Sequence, residues 1–218
     1  MIFKDKDIIV FAGDSVTDMG KTLPYGDADS LGLGLGDGYV HTIYDMMAAT
    51  YPEIAVRIIN SGIGGNTSRA LLDRWQTDVV DFKPDWVSIF IGINDALTNI
   101  LYPHKPESQV PYDEYEKNLE TMITSVQNTA KGVFVISPYV AEVKAGDMLR
   151  EEMDKYRTIC EKIAKKYSCE YIDVQEMFDE YFKVRHQCWI AWDRIHPNRI
   201  GAYMIAKEFL KRCGFKFD

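Results

Sequence analysis

The segment Asp7-Ile-Ile-Val-Phe-Ala-Gly-Asp-Ser15 decides the fold of this chain of 218 residues. Its apolar run is almost continuous, which is typical of a β-strand that is covered on both faces of a sheet. Glycine, aspartate and serine follow the run at once, and these are residues that favour turns. We therefore predict a buried strand over residues 7–12 that ends in a polar turn.

Similar apolar runs recur along the chain and alternate with longer amphipathic stretches, a pattern typical of a parallel α/β sheet. We predict the other strands at 54–59, 86–91, 133–136 and about 170–173. We predict the helices at 39–50, 68–81, 112–130, 148–167 and 198–212, with Asn198 as the cap of the last one. No repeat or linker divides the sequence, so residues 1–218 are expected to form a single domain.

Composition narrows the classes of partner. The net charge is −8 and no dense cluster of Lys or Arg is present, which disfavours nucleic acid, anionic membranes and acidic substrates. No stretch reaches the roughly 18 apolar residues of a membrane span. The charged N-terminus does not resemble an export signal, and the four cysteines are scattered. We expect a cytoplasmic protein with free thiols that acts on a neutral substrate.

Two polar segments contain residues suited to nucleophilic catalysis. Taken alone, Ser15 is most simply interpreted as a turn or cap residue, and His196 as a structural histidine. The spacing Asp193-x-x-His196 changes this interpretation, because a nucleophilic serine needs a base and a group that orients the base. A short turn can present both side chains together. We therefore predict that these three residues meet at one site.

Two further turns, Gly62-Ile-Gly-Gly-Asn-Thr67 and Gly92-Ile-Asn-Asp95, follow predicted strands. Polar turns after parallel strands gather at the carboxyl edge of an open sheet, where such sheets bind ligands. The backbone amide of Gly65, the side chain of Asn94 and the backbone amide of Ser15 are candidate donors to an oxyanion. No spacing matches a zinc or calcium pattern, and we predict neither a metal nor another cofactor.

The substrate side of the site is less specified. Asp14 and Trp192 are candidate substrate-binding residues, and Trp192 is equally open to interpretation as core packing. Two long irregular stretches, residues 18–37 and 96–111, are candidates for walls of the cleft or for a lid.

The four motifs occur in one order: Gly13-Asp14-Ser15, Gly62 to Thr67, Gly92 to Asp95, and Asp193-Arg-Ile-His-Pro197. In this order the sequence resembles the SGNH hydrolases of the GDSL esterase/lipase superfamily, although the usual Leu or Ile after the serine is Val16 here. The resemblance spans most of the chain. It implies a flavodoxin-like three-layer α/β/α sandwich with a five-stranded parallel sheet. It also implies Ser15 as nucleophile, His196 as base and Asp193 as its partner, with Gly65, Asn94 and Ser15 forming the oxyanion hole.

Within the superfamily, stretches such as Gly13-Asp-Ser-Val-Thr-Asp18 and Ala191-Trp-Asp-Arg-Ile-His-Pro197 are similar to bacterial intracellular acetylxylan esterases. That likeness implies a homo-oligomer that removes acetyl groups from xylo-oligosaccharides. Three alternatives stay open at this point. They are a lysophospholipase or acyl-CoA thioesterase with the same triad, a flavodoxin-like cofactor binder, and a non-catalytic carbohydrate-binding module.

Overall fold

The computed structural model describes residues 1–28 and 33–217. Its strands are β1 (Ile8–Gly13), β2 (Gly26–Asp27), β3 (Arg57–Gly62), β4 (Trp86–Phe90), β5 (Gly132–Ile136) and β6 (Glu170–Ile172). Its α-helices are α1 (Ser15–Asp18), α2 (Tyr39–Thr50), α3 (Ser68–Asp73), α4 (Trp75–Asp78), α5 (Ile93–Leu101), α6 (Tyr112–Val126), α7 (Met148–Lys166), α8 (Val174–Phe182) and α9 (Arg199–Arg212). Short 3₁₀ turns lie at Leu33–Leu35, Val80–Phe82, Pro106–Ser108 and Gln187–Trp189.

The strands form one sheet in the order β2-β3-β1-β4-β5-β6. Five of them are parallel, as predicted, and β2 adds two residues that pair antiparallel with the edge of β3. The order of the parallel strands is that of doubly wound flavodoxin-like sheets. The predicted α/β sandwich is therefore confirmed.

Helices cover both faces of the sheet, so successive residues of β1 are buried in two different cores. Ile9 and Phe11 belong to a cluster beneath α2, α8 and α9, where Phe134 and Phe209 also lie. Val10 belongs to the opposite cluster, which the helices from α3 to α7 complete. All five side chains are fully buried. This two-sided burial explains why the strand sequences are apolar throughout rather than alternating.

Several local predictions differ from the structure. The predicted helix 68–81 is two helices, α3 and α4, which meet at Arg74, where the backbone has φ −106° and ψ 5°. The stretch 96–111 is not wholly irregular, because α5 continues through Leu101. The first long stretch contains β2 and one 3₁₀ turn, and its residues 29–32 lie outside the described residues.

Helix α8 was not predicted, although its start is marked in the sequence. Asp173 caps it by accepting a hydrogen bond from the backbone amide of Glu176, and an Asp followed three residues later by Glu is a known signal for a helix start. The predicted cap of α9 is confirmed, since Asn198 accepts from the amides of Ile200 and Gly201. None of the described helices is long and apolar enough to cross a membrane.

Candidate active site

Ser15 lies at the start of α1, directly beyond the carboxyl end of β1. Asp14 caps this helix by accepting a hydrogen bond of 3.0 Å from the amide of Val16. The turn is tight at Gly13, where a Cβ atom would lie 2.4 Å from Thr17 Oγ1 and 2.5 Å from the carbonyl oxygen of Phe90. A side chain at this position would force the turn to shift. The glycine therefore lets the chain reverse sharply at the edge of the sheet.

The structure brings Ser15, His196 and Asp193 into one chain of hydrogen bonds. His196 Nε2 lies 2.7 Å from Ser15 Oγ, and His196 Nδ1 lies 2.5 Å from Asp193 Oδ2. The other carboxylate oxygen, Asp193 Oδ1, accepts from the backbone amides of Ile195 at 3.0 Å and His196 at 2.8 Å. Both oxygens are thus occupied, and the carboxylate is fixed in the orientation that holds the imidazole.

The turn that carries Asp193 and His196 is anchored to the segment after β5. The backbone of Arg194 has φ 72°, a left-handed conformation that is uncommon for a residue with a side chain. Tyr139 Oη donates to the carbonyl of Ile195 at 2.5 Å, and the amide of Ala141 donates to the carbonyl of Arg194 at 2.8 Å. The Arg194 side chain pairs with Glu142 and Asp147. Sequence analysis missed these supports, because they lie some 50 residues away and come close only in the fold.

The electrostatics favour an ionised Asp193. Partial burial acts to raise the pKa of this carboxyl, but the hydrogen bonds from the His196 side chain and from the amides of His196 and Ile195 outweigh it and lower the pKa. The Asp193 side chain is 50% exposed and that of His196 44% exposed. Both side chains are therefore accessible from solvent.

The glycine-rich turn after β3 lies beside Ser15. A Cβ atom on Gly64 would lie 3.8 Å from Ser15 Cβ, and the Gly64 amide donates to Asp18 Oδ2 at 2.9 Å. Gly65 has φ 80°, which a glycine adopts without strain. Within residues 1–28 and 33–217, neither the Gly65 amide nor the Ser15 amide has a hydrogen-bond acceptor. Both donors are therefore available to a ligand.

Asn94 lies in the first turn of α5, beyond β4, and its side-chain nitrogen donates to the carbonyl of Asn66 at 2.9 Å. A carboxamide nitrogen carries two hydrogens, so one contact leaves a second hydrogen to donate. The adjacent Asp95 is fully buried and accepts from both the amide and the hydroxyl of Ser68. The turns after β3 and β4 are thus joined, as expected from their places along the edge of the sheet.

The two candidate substrate-binding residues differ in exposure. Asp14 is only 2% exposed and is occupied as the cap of α1, which argues against the direct contact with substrate that we expected. Its charge would lie against a small cavity lined by Val16, Phe90, Ile91, Ile93, Pro138 and Tyr139. This burial raises the pKa of Asp14 to about 7, and burial likewise raises the pKa of Asp95 to about 6. Trp192 is 88% exposed, so core packing does not explain it, and its role as a substrate contact stays a prediction.

Comparison with known proteins gives consistent matches. The model of the GDSL-like lipase/acylhydrolase family matches residues 11–203. An acetylxylan esterase of Geobacillus stearothermophilus is 39% identical over 209 residues, which are 96% of this chain and 94% of that protein. A thioesterase 1/protease 1/lysophospholipase L1 of Escherichia coli is 25% identical over 195 residues, 85% of this chain and 83% of that protein.

Solved structures agree with the sequence matches. The crystal structure of the Geobacillus acetylxylan esterase superposes with a TM-score of 0.94 at 38% identity, covering 99% of this chain and 98% of that one. Structures of its catalytic mutants, in which a serine, a histidine or an aspartate is replaced by alanine, match with TM-scores of 0.94 to 0.95. An α/β hydrolase from the metagenome of Lake Arreo, Spain, matches with a TM-score of 0.93 at 38% identity, covering 98% of both chains.

Proposed function

The chain belongs to the GDSL-like lipase/acylhydrolase family and is a carboxylic ester hydrolase, and we propose that it removes O-acetyl groups from carbohydrate, specifically from acetylated xylo-oligosaccharides. The observation that carries the proposal is the hydrogen-bonded chain from Ser15 Oγ through His196 to Asp193. The choice of an acetylated sugar is supported by similarity to the Geobacillus acetylxylan esterase over nearly the full length of both proteins.

In the proposed mechanism, His196 Nε2 accepts the hydroxyl proton as Ser15 Oγ bonds to the acetyl carbonyl carbon. Asp193 holds the Nδ1–H tautomer and stabilises the imidazolium that forms. Collapse of the tetrahedral intermediate breaks the bond to the sugar oxygen, and His196 gives its proton to that oxygen. The same histidine then removes a proton from water, whose oxygen bonds to the acetyl carbon. The bond between that carbon and Ser15 Oγ breaks, acetate leaves, and His196 returns the proton to Ser15 Oγ.

The developing oxyanion would be bound by the backbone amides of Ser15 and Gly65 and by the Asn94 side chain. The availability of the two backbone amides supports this assignment, as does the contact of Asn94 with the carbonyl next to Gly65. Each such donor typically contributes about 3 kcal/mol to stabilisation of the transition state. Trp192, exposed next to Asp193 in sequence, is proposed as a surface on which a sugar ring packs.

The test is hydrolysis of p-nitrophenyl acetate, butyrate and octanoate by the wild type and by Ser15→Ala, followed by assay on acetylated xylo-oligosaccharides. We expect acetate-selective activity that Ser15→Ala abolishes while the protein stays folded by circular dichroism. Ser125→Ala is a matched control, because Ser125 also makes side-chain hydrogen bonds but lies on α6, bonded to Trp75 and Met122. Turnover by Ser15→Ala at the wild-type rate would refute the mechanism.

A second candidate is a lysophospholipase or thioesterase with the same catalytic residues. The similarity to the Escherichia coli protein favours it, and the same assay separates the two, since activity that rises from acetate to octanoate would move the substrate to longer acyl chains. The cytoplasmic location and the homo-oligomer stay predictions. Cell fractionation tests the first, and size-exclusion chromatography with light scattering tests the second.

A further inference from the structure

Arg74 joins the two segments that carry Ser15 and Gly65. Its Nη2 donates to the carbonyl of Gly13 at 3.1 Å, its Nη1 to Ser61 Oγ at 3.0 Å, and its Nε to Asn66 Oδ1 at 2.7 Å. Nη1 also pairs with Asp78 at 3.0 Å, one turn further along the chain. The side chain is only 14% exposed, so these contacts form largely out of water. One rigid guanidinium thus bonds to the ends of two strands and to the loop that follows.

The acceptors flank the catalytic groups in sequence. Gly13 is the last residue of β1 and precedes the Asp14-Ser15 turn, whereas Asn66 directly follows Gly65. The carbonyl of Asn66 also accepts the Asn94 side chain. A displacement of Arg74 would therefore shift Ser15, the turn that contains Gly65 and, through Asn66, the side chain of Asn94.

We propose that Arg74 is a positioning residue, which fixes the separation between Ser15 and the donors at Gly65 and Asn94. The inference rests on the proposed function, because it assigns Arg74 a task in that site. Arg74 lies where the predicted continuous helix 68–81 is interrupted, at the residue shared by α3 and α4. Burial lowers the pKa of Arg74, so holding the cation there has an energetic cost. Its planar fork of five donors explains why arginine suits this place, since the three donors of a lysine all come from one nitrogen and cannot reach acceptors that lie around a guanidinium.

The test compares Arg74→Lys with Arg69→Lys. Arg69 lies on α3, which ends next to Arg74, and makes as many hydrogen bonds. It donates to the carboxylate of Glu114 and to the carbonyls of Glu107 and Gln109, none of which belongs to a catalytic segment. Both variants keep the charge. For Arg74→Lys we expect kcat on p-nitrophenyl acetate to fall tenfold to a hundredfold, roughly the effect of a displacement of about 1 Å, with KM changed less than about threefold. Arg69→Lys should retain wild-type kcat.

A second variant distinguishes the loss of a positioning contact from unfolding of the protein. Asn66→Ala removes one acceptor of Arg74 and leaves the backbone carbonyl that Asn94 uses. We expect a smaller fall in kcat, and the effects of Asn66→Ala and Arg74→Lys should be less than additive in the double variant, because both break the same link. Phenylmethylsulfonyl fluoride gives a second readout, since its rate of reaction with Ser15 should fall in parallel with kcat.

Three results would overturn the assignment. They are a kcat for Arg74→Lys equal to that of Arg69→Lys, a loss that lies entirely in KM, and a loss that merely follows the fraction of unfolded protein. If Arg74→Lys does not fold, wild-type kcat in Asn66→Ala would overturn it instead. If one of these results is obtained while Ser15→Ala is inactive, only the role of Arg74 is rejected and the proposed function stands. Full activity in Ser15→Ala would reject the proposed function itself.

Discussion

Replacing Asp14 with asparagine should stabilise the protein at alkaline pH and have little effect in acid. In the folded protein burial raises the pKa of Asp14 from 3.8 to about 7. The folded state therefore binds this proton more tightly than the unfolded chain does. The associated stability is fully present below pH 3.8 and is lost as the pH rises through about 7.

The magnitude follows from the two pKa values. A difference of about three in pKa corresponds to about 4 kcal/mol of unfolding free energy, all of it lost by pH 8. No discount for exposure applies, because the carboxyl is 2% exposed. Asparagine caps helices about as well as aspartate does, so the bond from the Val16 amide should survive the substitution. We expect Asp14→Asn to be about 4 kcal/mol more stable than the wild type at pH 8 and about equal to it at pH 4.

Urea unfolding of both proteins between pH 4 and pH 8, followed by circular dichroism, measures this difference directly. Comparing the two proteins at each pH cancels the titration of every group that does not interact with Asp14. Asp147→Asn is a control of opposite sign. Asp147 also caps a helix, but its hydrogen bonds from the Arg150 amide and the Arg194 side chain outweigh burial and lower its pKa, so this variant should lose stability at pH 8. A gain for Asp14→Asn that did not change with pH would refute the reasoning.

Two further predictions concern catalysis. Asn94→Ala should lower kcat about a hundredfold or more on p-nitrophenyl acetate with little change in KM, because an oxyanion donor acts in the transition state. A defect confined to KM would show that Asn94 is not part of the oxyanion hole. Asp193→Asn should lower kcat at least about a hundredfold, but less than the roughly 10⁴-fold seen for a buried triad carboxylate, because Asp193 is half-exposed and water can partly replace it. Steady-state kinetics at pH 8 would measure this loss, and an unchanged kcat would contradict the prediction.

Local sequence determined much of the sheet, because strands buried on both faces must be apolar along their whole length. The run before Gly13 therefore predicted β1, and similar runs predicted the other parallel strands. The two-residue strand β2 carries no such pattern, and only its pairing with Asn60 and Ile59 on β3 defines it. Helix α5 was missed over residues 96–101 although it is clearly amphipathic, because we interpreted the Gly92-Ile-Asn-Asp95 motif as a turn and the proline-containing stretch after it as irregular.

Some features of the candidate site could likewise be predicted from the sequence, and others only from the structure. Residue types and their order along the chain were enough to predict Ser15, Asp193, His196, Gly65 and Asn94 as its members, because parallel strands end at one edge of the sheet. Sequence alone also suggested Asp14 as a substrate contact, and only the tertiary structure placed it 2% exposed as the cap of α1.

The supports of the site depended entirely on the fold. Tyr139 contacts the histidine turn across more than 50 residues of chain, and Arg74 reaches Gly13 across 61. Such contacts leave no spacing in the sequence, because they depend on how strands and helices pack rather than on local conformation. The sequence by itself determined which groups can react, and the tertiary structure determined how those groups are held in place.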